Sequence, residues 1–172
     1  MRGKILIAAA LAALVSFTFA AKPAQAHGDL VSVKDSYMPG TILIRTNERA
    51  LYYFVGMGQA IRYPVGVGRI GMQWTGTAFI DGKYIKPAWS PPASIRSDYR
   101  RLPPVVPGGS PQNPMGVAAM TLSGGGQYAI HGTNNEGSVG HFVSHGCIRM
   151  HNADIQDLYS RVSVGTRVVV TR

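Results

Sequence analysis

From Thr41 onward the apolar and polar positions fall into the short runs expected of strands. Thr41–Arg45 and Leu51–Val55 are rich in β-branched and aromatic residues. Thr46-Asn47-Glu48-Arg49 between them reads as a turn, which predicts a hairpin. Ala60–Val67 is a third strand, carried by Ile61, Tyr63, Val65 and Val67. Gly66 and Gly68 at its end imply a bulge or a close backbone approach. Thr77–Ile80 and Lys83–Ile85 flank Asp81-Gly82, a pair suited to the positive φ of a type I′ turn, so a second hairpin is expected there. Val117–Leu122 and Gln127–His131 read as strands around Ser123-Gly124-Gly125-Gly126, and Arg167–Thr171 as a Val-rich closing strand. One helical pattern stands out, over Asn152–Val162. Ile155, Leu158, Tyr159 and Val162 fall at i, i+3, i+4 and i+7, Asn152 can cap the start, and Gly165 follows the end. The expectation is a mainly β fold with one helix.

Two stretches break this pattern. Residues 27–38 read as a poorly ordered leader. Residues 87–114 hold eight of the eleven prolines, which rules out a central strand and predicts a long functional lid or a linker. Because the β pattern resumes at once, this stretch is not read as a domain boundary. A length of 172 residues allows one ordinary domain. At 45% hydrophobic and 15% charged residues, the chain has the material for a core and is not a disordered polymer.

The first 26 residues read as an address. Arg2 and Lys4 precede an apolar run from Ile5 to Ala21, and Ala24-Gln25-Ala26 is a small-x-small cleavage site. The run is short for a bilayer core of about 30 Å, which favours a cleaved secretory signal over an anchor. Membrane contact is then expected only through the transient signal, with the mature chain starting at His27. The net charge of +9 is spread along the sequence without a basic run interleaved with aromatics. Nucleic acid is therefore not indicated as a partner, whereas anionic polymers of the cell envelope are compatible with diffuse positive charge.

The candidate chemistry lies between His131 and Asn152, where four of the five histidines join the only cysteine. A lone cysteine excludes an internal disulfide and any site needing two thiolates from this chain. Many such cysteines are inert core residues. Here the neighbours argue for a nucleophile. Gly146 allows the tight turn that aims N–H groups at an oxyanion. His131 closes a predicted strand and is a rigidly held base. His145, two residues from Cys147, projects from the same face of an extended segment. His141 and His151 read as surface residues. The rival chemistry is a metal site from His141, His145 and Cys147 with His131. It lacks the helical spacing and the acidic partner of a zinc hydrolase, so no metal and no cofactor are expected.

Ile130-His131-Gly132-Thr133-Asn134, then Gly140, then Ser144-His145-Gly146-Cys147-Ile148-Arg149-Met150, resembles the signature of the L,D-transpeptidases, the YkuD catalytic domain. The resemblance covers about residues 40–171 and implies a β-sandwich with one short helix after the catalytic loop. The expected organisation is a signal peptide at 1–26, a leader at 27–39 and the catalytic domain at 40–172. By the same resemblance Cys147 is the nucleophile, His131 the general base, and the Gly132 carbonyl orients the imidazole. His145, Gly146 and the Cys147 N–H form the wall and oxyanion hole, Ser144 holds the loop, and Arg149 helps bind an acidic substrate. One departure is noted: where many members have Thr-Pro-x-Gly, this chain reads Trp74-Thr75-Gly76-Thr77. The implied reaction is thioester-mediated acyl transfer. The carbonyl of the diamino acid in a peptidoglycan tetrapeptide stem passes to an acceptor amine with loss of D-Ala, giving a 3–3 cross-link or an envelope protein joined to the wall in the periplasm. Water as acceptor gives an L,D-carboxypeptidase instead. A decayed site would leave a non-catalytic envelope-binding module.

Overall fold

The computed structural model describes residues 28–99, 101–124 and 127–172. The signal sequence and its cleavage site lie outside them. Eleven strands are present among the described residues: β1 (Asp29–Ser32), β2 (Ile42–Arg45), β3 (Ala50–Gly56), β4 (Gln59–Pro64), β5 (Val67–Gly68), β6 (Gly76–Ile85), β7 (Ala118–Leu122), β8 (Ala129–His131), β9 (Phe142–Ser144), β10 (Ile148–Arg149) and β11 (Arg167–Thr171). Two α-helices accompany them, α1 (Ala93–Asp98) and α2 (Asn152–Arg161). Nine strands form one ladder in the order β1-β4-β3-β2-β11-β6-β7-β8-β10, and β5 pairs with β9. The β2/β11, β8/β10 and β5/β9 pairs are parallel, and the rest are antiparallel.

Period-two alternation sorts the side chains into two cores. Ile42, Ile44, Leu51, Tyr63, Val168 and Val170 share one cluster with Met120, Ile130, Ile148 and the α2 residues Ile155 and Leu158. Both ends of the ladder thus fold over one core, as in a sandwich. Leu43, Ala50, Tyr52, Phe54 and Val169 point the other way. The segment expected to be a disordered leader covers that second face. β1 pairs with the β4 edge, and Val31, Val33 and Tyr37 pack over the cluster, with Tyr37 edge-on to Phe54 at 5.1 Å. Without these residues an apolar sheet face would meet water.

Three local expectations change. Asp81-Gly82 is not a hairpin turn. β6 runs straight through it, and the register against β7 shifts between Ile80 and Gly82. Gly82 does not have the positive φ that a type I′ turn demands. The pair makes a bulge, where a Cβ on Gly82 would lie 2.7 Å from Thr121 Oγ1. Second, the proline-rich stretch contains a helix, so two α-helices rather than one are present among the described residues. The prolines flank α1 and none falls within it, consistent with Pro92 at its N-cap. Third, Asn152 does not cap α2; His151 occupies that position.

Asn152 instead ties three elements together. Its Oδ1 accepts from Val117 N–H and Thr133 N–H, each at 3.1 Å, and its Nδ2 donates to Thr133 O and Glu136 Oε1, each at 2.7 Å. Gly116 and Gly132 make room, since a Cβ on either would sit 2.3 Å from Asn152 Oδ1. This knot fixes the chain where it leaves β8, directly after His131. Asn152→Ala is expected to lower stability by about 1–3 kcal/mol, because two backbone donors lose their acceptor. Denaturant unfolding checks this, and a change within experimental error would show the knot to be dispensable.

Candidate active site

The parallel β8/β10 pair sets the site. Ile148 pairs with Ile130 and Arg149 with His131. Both isoleucines enter the core, so the neighbouring His131 and Arg149 project from the opposite face. From 144 to 150 burial alternates. Ser144, Gly146, Ile148 and Met150 are buried, and His145, Cys147 and Arg149 are half-buried. His131, His145, Cys147 and Arg149 line one cleft of about 280 Å³ together with Ser144.

Ser144 builds the turn that presents the thiol. Its Oγ donates to Cys147 O at 2.6 Å and accepts from Gly146 N–H at 3.0 Å. Gly146 has φ +117°, and a Cβ there would lie 2.4 Å from the Tyr128 ring. Tyr128 stacks on Trp74, with ring centroids 5.0 Å apart and planes 4° from parallel, and Trp74 Nε1 donates to Gly146 O at 3.0 Å. No residue with a side chain fits position 146. The Gly146 N–H is committed to Ser144, whereas the Cys147 N–H has no hydrogen bond among the described residues. Of the two, only the latter is available to an oxyanion in this conformation.

His131 is 3% exposed, and its Nδ1 lies 2.6 Å from Gly132 O. A carbonyl only accepts, so Nδ1 carries the proton and Nε2 of the neutral ring keeps its lone pair. Burial, reinforced by the Arg149 charge, lowers the imidazole pKa to about 4, against the opposite pull of the Gly132 and Pro114 carbonyls. Burial pushes the Cys147 thiol up, partly offset by the Ala129 backbone and Arg149. The resting pair at neutral pH is therefore thiol and imidazole, both uncharged.

Arg149 is held rigidly by its backbone. Gly66 N–H donates to Arg149 O at 2.7 Å, and Arg149 N–H donates to Gly66 O at 2.8 Å. The close approach anticipated at Gly66 is real: a Cβ would lie 2.8 Å from Ser138 O and 3.3 Å from Arg149 Cβ. His141 and His151 are not among the residues that line the cleft. His141 is exposed, and His151 Nδ1 lies 2.5 Å from Glu136 Oε2.

The proline-rich stretch is the cleft's other wall. Residues 89–115 supply seven of the thirteen lining residues, among them Trp89, Ile95, Tyr99 and Leu102. The stretch is closed on itself by mutual hydrogen bonds between Trp89 and Val106 at 2.9 and 2.8 Å. The buried Asn113 side chain donates to Pro87 O and Pro107 O. It is latched to the Ser144–Cys147 turn through Asp98, whose Oδ2 lies 2.8 Å from His145 Nε2 and also pairs with Arg69.

Comparison with known proteins follows the same lines. The family model for the L,D-transpeptidase catalytic domain, YkuD, matches residues 39–170. The chain belongs to this L,D-transpeptidase family. It is 43% identical over 136 residues to "Probable L,D-transpeptidase YbiS" of Escherichia coli K12, covering 74% of this chain and 43% of that protein. It is 38% identical over 159 residues to "Probable L,D-transpeptidase ErfK/SrfK" of Salmonella typhimurium, covering 85% of this chain and 50% of that one. The chain thus spans half or less of the length of these relatives. The solved L,D-transpeptidase from Mycobacterium smegmatis superposes with a TM-score of 0.60 at 21% identity, over 77% of this chain and 58% of that one, which shows a shared fold.

Within this L,D-transpeptidase domain, the side chains that sequence reasoning missed support the signature residues from outside the motif. Trp74 falls where the chain departs from the family's Thr-Pro-x-Gly segment, and that departure was the available signal. Asp98 had none. For the latch we expect Asp98→Ala to raise amide hydrogen exchange across residues 93–99 while leaving the unfolding midpoint nearly unchanged, because the carboxylate is solvent-exposed. Unaltered exchange would show that Asp98 does not hold α1.

Proposed function

We propose that this domain is a peptidoglycan L,D-transpeptidase working through a Cys147 thioester. The observation that carries the reading is the shared wall on which Cys147 and an uncharged His131 face one open cleft, in a chain of this family. Cys147 Sγ attacks the carbonyl of the diamino acid of a tetrapeptide stem as His131 Nε2 takes the thiol proton. The oxyanion is met by the Cys147 N–H. His131 returns the proton to the departing nitrogen, the C–N bond breaks, and D-Ala leaves. An acceptor amine then attacks the thioester, loses a proton to His131, and expels the thiol with that proton restored. Each bond made replaces one broken, so the exchange needs no external energy source and draws on no metal. The diffuse basic charge suits an anionic wall polymer. The N-terminal 26 residues support export, and we place the enzyme in the periplasm.

The acceptor is decided by products. Purified protein is incubated with a defined tetrapeptide stem, with and without a diamino-acid stem or an envelope-protein peptide bearing a free amine, and the products are weighed by mass spectrometry. The reading expects an amide-linked conjugate that depends on the acceptor. Hydrolysed stem alone, at every acceptor concentration, would establish a carboxypeptidase. Unreacted stem throughout would leave a binding module.

A further inference from the structure

Arg149 is an anomaly in the cleft. Among the described residues its Nε is the one buried side-chain nitrogen or oxygen without a hydrogen-bond partner. None of the described carboxylates pairs with its guanidinium. Asp98 is taken by Arg69 and His145, Glu136 by His151, Asp157 by Arg161, and Asp35 and Glu48 by Arg45. Buried donors are almost always satisfied, and a cation kept without a counter-charge in a half-buried site marks a place where an anion is to arrive. Arg149 is also the single lysine or arginine among the residues that line this cleft.

Placement indicates which anion. In a parallel pair, register partners present their side chains on one face, so Arg149 stands directly beside His131. His131 must protonate the nitrogen of the departing residue, which puts that nitrogen against the imidazole. A terminal amino acid carries its carboxylate one carbon from that nitrogen. The neighbouring position on the strand is Arg149, whose backbone is clamped by Gly66 on one side and whose following N–H, at Met150, donates to His131 O at 2.8 Å. A planar guanidinium fork suits a carboxylate.

We infer that Arg149 reads the free carboxylate of the residue expelled in the first step, making it a specificity-determining residue that directs Cys147 to the last bond of the stem. This rests on the transpeptidase reading above and adds the recognition element for the leaving group.

The test compares two donors that differ at one group: a tetrapeptide stem ending in D-Ala, and the same stem ending in D-alaninamide. Release of D-Ala or D-alaninamide is followed at matched enzyme concentration, and kcat/KM is compared within each protein. The wild-type chain is expected to prefer the free acid by about 10- to 100-fold, the usual range for a hydrogen-bonded charge pair. In Arg149→Gln that ratio falls to within about threefold of unity, and Arg149→Lys, which keeps the charge and loses the fork, retains part of it. If Arg149→Gln does not fold, the reduced ratio in Arg149→Lys carries the test. Equal use of both donors by the wild type overturns the inference while leaving the transpeptidase reading intact. So does a full preference retained in Arg149→Gln, or an equal slowing of both donors, which would put the guanidinium on the acyl side or on Cys147 itself. If neither donor reacts with the wild type, the transpeptidase reading fails and takes this inference with it.

Discussion

Cys147→Ala is expected to abolish acyl transfer to the background of the assay while the domain stays folded. The sulfur is the one atom in the cleft that can form the covalent intermediate, and no neighbouring side chain can replace it: Ser144 Oγ is bound to Cys147 O and Gly146 N–H. Ala fits without strain, because it only removes the sulfur of the half-buried Cys147 side chain, whose hydrogen bond to Gln127 O is long at 3.9 Å. The unfolding midpoint should therefore move little. Turnover of a tetrapeptide donor, monitored as D-Ala release, reads the first part and thermal unfolding the second. Residual turnover above one-hundredth of wild type would mean that the chemistry runs without this thiol.

His131→Gln carries the second-largest effect. Losing a positioned general base typically costs about 10²–10⁴ in rate, and the loss here should be at the upper end because the thiol it activates is held above its ordinary pKa by burial. A preformed thiolate would need the base less. The depressed imidazole pKa also makes a stability statement. His131 has a folded pKa of about 4 against 6.5 for the unfolded chain. The unfolded state therefore binds the extra proton first as the medium is acidified. Stability from this group is complete above pH 6.5 and is lost as pH falls towards 4. Wild-type unfolding midpoints should decline through that window, and His131→Gln should flatten the decline. A variant with the wild-type pH profile would show that another group drives it. In activity, the base stays competent well below pH 6.5, so the acid limb of the wild-type profile should lie near pH 4.

The strands of the main sheet were legible because alternation is enforced by burial: Ile42, Ile44, Val168 and Val170 face one core while Leu43 and Val169 face the other. The chemical motif was legible because its spacing is local, with Ser144, His145 and Cys147 within four residues. What escaped depends on distant partners. Asp-Gly carries the same local preference whether it turns a hairpin or bulges a strand, and the ladder to β7 decided for the bulge. Residues 29–37 have a weak pattern of their own and gain order only against the face of β3 and β4. Asn152 is as good a cap as it is a cross-link, and the room left by Gly116 and Gly132 selected the second role. The proline stretch announced a lid or linker but could not reveal that its aromatic and aliphatic residues wall the cleft or that Asp98 meets His145. These are contacts between segments distant in sequence, 47 residues for Asp98 and His145, and periodicity does not see them.

The account stands most directly on trapping the acyl-enzyme. Wild-type protein mixed with a tetrapeptide donor and no acceptor, quenched in acid and weighed intact, should gain the mass of the stem less D-Ala, with the added mass mapping to the peptide that contains Cys147. Release of D-Ala without any such adduct, or an adduct carried by a different residue, would contradict it.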